Sequence, residues 1–222
     1  MSARVIRVAT WNVHGLRGGV DAVAAVVHGE AVDVLLLQES GPRRRLRALG
    51  AGLGMAVCGD PPSFPRRRIQ NAVLVRPPRV VRSHGLDRFH GGSFLSPRGA
   101  LVAVLDDLIA VSVHLGMAGP ERRRHVEELL ELIDGAEGPI VVGGDLNAHP
   151  EDTMPAAIAR RYPDAWVGAR DGREQGNTFP SDEPVARIDY LFAGPALRPL
   201  RAWTAGGTVS DHLMVIADLE LG

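Results

Sequence analysis

Short apolar runs recur along the chain, separated by polar, turn-rich stretches. They cover residues 5–11, 32–37, 72–75, 100–105, 108–113, 140–142, 188–192 and 213–219. Their lengths and Val/Ile content predict strands, because β-branched side chains pack well on a pleated surface. Three stretches show helical spacing instead. Residues 20–28 are rich in Ala and Val, and 42–53 place Leu46, Leu49 and Leu53 at helical spacing. Residues 120–134 put Val126, Leu129, Leu130 and Ile133 on one face, with Pro120 near the start. A fourth, shorter helix is expected over 153–161. Roughly ten strands and a few helices in this order predict an α/β protein of two sheets packed face to face, with helices covering the outside.

The polar residues stand at informative places. The run 5–11 leads into Asn12, 32–37 into Gln38 and Glu39, and 108–113 into His114. The run 140–142 passes through Gly143-Gly144 to Asp145 and Asn147, Asp189 lies within 188–192, and Ser210-Asp211-His212 enters the last strand. Acids, amides and imidazoles at so many strand ends imply that these ends converge on one mouth. If the pleat persists through Asn147, Asp145 and Asn147 project to the same side. A carboxylate able to take a proton and an amide able to donate to an anion would then be aimed at one spot.

Composition narrows the classes. With 222 residues, the chain is long enough for one domain, 1–222, to bury its own core. A net charge of -1 lacks the basic excess typical of nucleic-acid binders. All 25 basic residues are Arg, a compositional bias that says little about function. The single Cys58 excludes an internal disulfide and a cysteine-built zinc site, and fits a reducing compartment. Residues 1–4 pass directly into a strand-like run without a signal-peptide core, and no stretch is long and apolar enough to span a bilayer. A soluble, cytoplasmic monomer with no membrane partner is the expectation.

With these residues assembled, the chain resembles the endonuclease/exonuclease/phosphatase superfamily, the deoxyribonuclease-I-like fold. The matching motifs are TWNVHG (10–15), LLLQES (35–40), NAVLVR (71–76), VSVHLG (111–116), GGDLNA (143–148), TFP (178–180), RIDYLF (187–192) and SDHLMV (210–215). They appear in the family's order over essentially the whole chain. The resemblance implies a four-layer α/β sandwich, two packed, mostly antiparallel sheets flanked by helices.

Glu39 reads as the main metal ligand. Carboxylates and amides without thiolates at the mouth favour a hard, oxygen-liking ion, Mg²⁺ or Mn²⁺. The resemblance adds Asn12 and Asp211 as supporting ligands. It also pairs Asp189 with His212, a carboxylate that fixes an imidazole's tautomer and raises its basicity. Either His212 or Asp145 takes the proton of the attacking water, and the sequence leaves both open, as it does the number of ions. Asn147 and His114 are candidate clamps on the non-bridging oxygens of the scissile phosphate, where charge builds during in-line attack. Asn71 and Arg187 lie in matched motifs and are expected to bind substrate. His14 and Phe179 are weaker candidates for substrate contact. Arg runs at 43–45, 66–68 and 122–124 offer a phosphate-attracting rim, while His28, His125 and His149 are expected on the surface or on helices.

The expected reaction is metal-assisted hydrolysis of a phosphate ester by activated water. The compact chain and His114, where exonuclease-III-type enzymes carry a Tyr-based motif, favour a small or flexible phosphodiester or phosphomonoester. The alternative is a Mg-dependent nuclease, with DNA or RNA as partner. A catalytically inactive binding module of the same fold is the minor alternative.

Overall fold

A computed structural model describes residues 4–61, 68–91, 95–169 and 176–222. The period-two alternation of β1 (Arg4–Asn12) sets the architecture: Ile6 and Val8 enter the layer between two sheets, while Ala9 and Trp11 face outward beneath helices. The other strands are β2 (Val34–Gln38), β3 (Ala56–Gly59), β4 (Ala72–Val75), β5 (Val81–Arg88), β6 (Gly99–Leu105), β7 (Ile109–His114), β8 (Ile140–Asp145), β9 (Asp189–Ala193), β10 (Leu197–Ala205) and β11 (Met214–Leu221). One sheet runs β10-β11-β1-β2-β4-β3 and the other β5-β6-β7-β8-β9. Both are antiparallel except at β1–β2 and β7–β8. Parallel neighbours need a long crossover, and helices α1 (Val20–Gly29) and α3 (Gly119–Ile133) supply the two.

Three apolar layers hold the molecule together. Between the sheets lie Ile6, Val8, Leu36, Leu101, Val141, Leu191 and Val215 among others. Outside the first sheet, α1 and α2 (Arg43–Leu53) bury Val23, Val27, Leu46, Leu49 and Leu53. Outside the second, α3 and α4 (Thr153–Ala159) bury Val126, Leu129, Ile133, Met154 and Ile158. A short α5 (Ala165–Gly168) packs Ala165 and Trp166 into the central layer. Helix, sheet, sheet, helix is the expected four-layer sandwich.

Three strands, β3, β5 and β10, are not marked by apolar runs, and all three are sheet edges. Edge strands face water on one side, which weakens the periodic signal. In β5, VRSHGLDR, four consecutive residues are exposed. In β10 the register shifts between Pro199 and Arg201, and an edge is where a strand accommodates proline.

One end of the inner layer is polar. The inward parity of β1 continues from Ile6 and Val8 to Thr10 and Asn12, and that of β2 from Val34 and Leu36 to Gln38. In β7 and β8 it runs through Ala110 and Val141 to His114 and Asp145. Strands β1, β2, β7 and β8 end there, whereas the antiparallel β4, β6, β9 and β11 begin there. Buried bonds stitch the sheets just below: Gln38 Nε2 donates to Ser112 Oγ at 3.0 Å, and Ser112 Oγ donates to the Leu37 carbonyl at 2.8 Å. The two glycines before Asp145 are steric necessities. A Cβ at Gly143 would lie 2.6 Å from Leu191 Cδ2 and 2.8 Å from Leu36 Cδ1, and one at Gly144 would lie 1.8 Å from the Val113 carbonyl oxygen.

Candidate active site

Asp145, 2% exposed, is the hub of the polar end. In the sheet register it sits opposite His114 on one side and Asp189 on the other. Asn12 Nδ2 donates to its Oδ2 at 3.0 Å, and the Asn147 backbone N–H donates to its Oδ1 at 2.9 Å. His114 Nε2 and His212 Nε2 lie 3.3 and 3.9 Å from Oδ2. Burial alone would raise this carboxyl's pKa. Contacts with His114, then His212 and the Asn147 N–H, outweigh burial and hold it well below the usual carboxylate range.

His212 is anchored from its far side. Its Nδ1 is 2.8 Å from Asp189 Oδ2, the oxygen that also accepts from Thr178 Oγ1 at 2.6 Å. Burial would lower the imidazole pKa, but Asp189, by charge and hydrogen bond, and then Asp145 and Asp211 push it up to about 9. The ring therefore carries both protons at neutral pH and points Nε2–H toward Asp145. Phe179 packs against it with ring centroids 4.9 Å apart. The segment before β11 is tied to β1 by Trp11 Nε1 donating to the His212 carbonyl at 2.8 Å and Ser210 Oγ donating to the Asn12 carbonyl at 2.7 Å.

The loops leaving the parallel strands are tightly bent. Glu39 and Asn147 have φ of 48° and 49°, a region non-glycine residues rarely adopt. The pleat therefore does not persist to Asn147. The turn brings it back to Asp145 instead, and Asn147 Nδ2 donates to the Leu115 carbonyl at 3.1 Å. His14 likewise leaves the strand direction (φ 44°), and its Nδ1 lies 3.1 Å from Asp211 Oδ2. Its backbone N–H donates to Asn12 Oδ1 at 3.1 Å.

The oxygen donors fit a cation. The Glu39 side chain is half-buried and makes no hydrogen bond or ion pair among the described residues. Asp145, Asp189 and His212 offer ligand atoms all within 4.8 Å of one another, a group able to hold a metal ion. In that group His212 is already bonded to Asp189 and protonated, so the chemistry left for a cation is carboxylate and amide oxygen, a hard-ion set.

Asn71 and Arg187 do not join the hydrogen-bonded cluster around Asp145. Asn71 is fully buried and donates to the Gly99 and Ser112 carbonyls at 2.9 and 3.0 Å, tying the entry of β4 to the second sheet. Arg187 pairs with both Asp164 oxygens at 2.7 and 2.6 Å and lies 4.7 Å over the Tyr190 ring. It lines a cavity of about 440 Å³ with His149, Trp166 and Val185. His125 is a helix residue but wholly buried: its Nδ1 accepts from Gly116 N at 3.1 Å and its Nε2 donates to the His90 carbonyl at 3.1 Å. Arg66 and Arg67 lie outside the described residues.

Two participants were hidden from a reading based on strand exits. Thr178 supports Asp189, and Arg98 NH1 lies 2.9 Å from His114 Nδ1. Arg98 stands immediately before β6, which begins at the mouth. A polar residue before an antiparallel strand occupies the same end as one after a parallel strand, and that symmetry was the available signal.

The family model for the endonuclease/exonuclease/phosphatase family matches residues 9–212. The chain belongs to this family. None of the curated proteins matches it by sequence. Among solved structures, this family member is similar to an endonuclease/exonuclease/phosphatase from Bacteroides vulgatus, at 20% identity and a TM-score of 0.83, covering 99% of this chain and 100% of that one. The mannosyl-6-phosphatase of Bacteroides thetaiotaomicron superposes with a TM-score of 0.79 at 16% identity over 96% and 99% of the two chains. A humanized TDP2 of D. rerio gives 0.77 at 16% identity over 97% and 98%. At these identities the likeness is one of fold.

Proposed function

We propose that this family member is a divalent-metal-dependent phosphohydrolase that cleaves a small or flexible phosphodiester or phosphomonoester by in-line attack of water. The observation that carries the reading is the convergence of four N–H donors, from Asn12, His114, Asn147 and His212, around one buried carboxylate. Such a set of donors suits a tetrahedral anion whose oxygens gain charge as the reaction proceeds. Family membership supports phosphoester hydrolysis, and the fold shared with a mannosyl-6-phosphatase is compatible with a small ester.

Glu39, Asn12 and Asp211 are assigned to the metal, Mg²⁺ or Mn²⁺. An ion held there would supply Lewis acidity to a phosphoryl oxygen and the leaving group. Without substrate, the donors are directed at Asp145 and suppress its basicity. An entering phosphate competes for the same N–H groups, which frees lone pairs on Asp145 to orient the attacking water and take its proton. His212, held protonated by Asp189, donates from Nε2 to a phosphate oxygen, joined by His114 Nε2–H and the Asn147 side-chain amide. This division of labour favours Asp145 over the Asp189–His212 pair as the water-activating group.

The test assays purified protein with Mg²⁺ or Mn²⁺ on mono- and bis-p-nitrophenyl phosphate, single-stranded DNA and supercoiled plasmid, beside His212→Ala and EDTA controls. EDTA-sensitive turnover of the small esters, lost in His212→Ala, is expected. Full activity in the mutant would sink the site assignment.

A nuclease is the second reading, favoured by basic side chains on the α2 flank of the mouth. Arg45 donates to the Gly15 and Leu16 carbonyls at 3.3 Å, and Arg17 contacts His14 at 2.6 Å. Salt separates the two readings. A chain gripping about six to ten phosphates loses about 10³–10⁵ in affinity between 50 and 200 mM salt, and fewer contacts lose proportionately less, whereas a small ester shows a shallow dependence.

A further inference from the structure

Arg98 donates from NH1 to His114 Nδ1 at 2.9 Å. A guanidinium has N–H donors and no acceptor, so the ring nitrogen facing it must present its lone pair. That leaves the imidazole's single proton on Nε2. The surroundings of Nε2 agree: the Asp145 Oδ2 acceptor lies 3.3 Å away. Asn147 Nδ2 is also near, at 3.5 Å, but it donates to the Leu115 carbonyl at 3.1 Å, so two donors stand side by side facing the same space. His114 is 1% exposed, which leaves bulk water little access to replace Arg98 at Nδ1.

The backbone keeps Arg98 in place. Gly99, its neighbour, pairs directly with His114 across β6 and β7. A Cβ on Gly99 would lie 2.1 Å from the Asp87 carbonyl oxygen and 2.5 Å from Ile69 Cδ1, so the strand start is pressed against its neighbours. The guanidinium is half-buried and lies in the field of Asp145, Glu39 and Glu121, whose charges oppose the effect of burial on it.

We propose that Arg98 is a positioning residue that holds His114 as a neutral imidazole with its proton on Nε2, aimed at a non-bridging oxygen of the scissile phosphate. It acts through His114, and the inference rests on the reading of His114 as a phosphate-oxygen donor. With the proton on Nδ1, Nε2 would turn a lone pair toward the phosphate. A doubly protonated ring would instead form an ion pair with Asp145 and hold that base in place.

The test has a spectroscopic and a kinetic arm. Protein labelled with ¹⁵N-histidine is studied at pH 7.5 without substrate, and the His114 signal is identified by its loss in His114→Ala. Wild type should show the neutral Nε2–H tautomer, and Arg98→Met or Arg98→Gln should lose that signature while keeping the native circular dichroism spectrum. In steady-state assays Arg98→Met should lower kcat by about 10²-fold, the scale of one transition-state donor, with KM little changed and partial rescue by Arg98→Lys. Added to His114→Ala, Arg98→Met should cost nothing further, because the two residues act as one unit. Retention of the tautomer in both Arg98 variants would overturn the proposal. So would full additivity of Arg98→Met and His114→Ala, which would mean that the guanidinium touches substrate itself. The spectrum needs no turnover, so failure of the phosphohydrolase reading would show in the assays alone.

Discussion

Asn147 and His114 flank Asp145 with N–H groups fixed by other bonds, Asn147 through the Leu115 carbonyl and His114 through Arg98. Preorganised donors act without reorganisation in the transition state, so Asn147→Ala or His114→Ala should each lower kcat by about 10²–10³, read in steady-state assays with KM followed separately. His125 supports a prediction about stability. Burial lowers its pKa from 6.5 against the opposing pull of Glu121 and Glu128. The unfolded chain then binds the proton more readily than the folded one. Its contribution is intact above pH 6.5 and falls as pH drops from there through the depressed folded value. Urea midpoints should decline across that window, and His125→Gln, whose amide can accept from the Gly116 N–H and donate to the His90 carbonyl without titrating, should flatten the decline.

The strands deliver the site through parity. Asn12, Gln38, His114 and Asp145 continue the inward-facing rows of β1, β2, β7 and β8, rows that are apolar along most of their length and polar at the mouth. Close approach of the two sheets depends on Gly143, where a Cβ would meet Leu191, Leu36 and Thr10 at 2.6, 2.8 and 3.1 Å. Gly143→Ala should therefore destabilise the protein by about 1–3 kcal/mol, the usual cost of overpacking a core, measured as a shift in urea midpoint. Activity should fall further than stability explains, because Asp145 lies two residues along the same row. The edge strand β5 has no such strictness: it carries four consecutive exposed residues, and Arg82→Ala should leave both quantities near wild type.

The whole molecule is built from three apolar layers that owe nothing to an ion. Chelation should abolish turnover while leaving the circular dichroism spectrum intact. Mg²⁺ should raise the melting temperature through linkage, about 2.7 kcal/mol of stabilisation at a hundredfold excess over its Kd. An unchanged melting temperature together with EDTA-insensitive turnover would remove the metal from the mechanism. No helix among the described residues is long and apolar enough to cross a membrane.

The eight apolar runs are the buried strands, and the four helical patterns are the helices that cover the sheets. These were legible because burial imposes a period on the sequence, two for a strand and 3.6 for a helix. The order of the motifs is likewise a property of the chain, and it carries the family. The edge strands β3, β5 and β10 were not legible, because water on one side relaxes the period, whereas the edge strand β9, buried throughout, was. Hydrogen-bond partners were not legible either, since they join residues far apart in sequence: Asn12 meets Asp145, His212 meets Asp189, and Arg98 meets His114. Asn71 and Arg187, alike in motif to their neighbours, bond to Gly99 and Ser112 and to Asp164 rather than to the cluster at the mouth. The sequence by itself determined which residue types stand at the strand ends. Only the packing of two sheets decided which of them touch, because a side chain's protonation and direction depend on neighbours that the chain brings together through space.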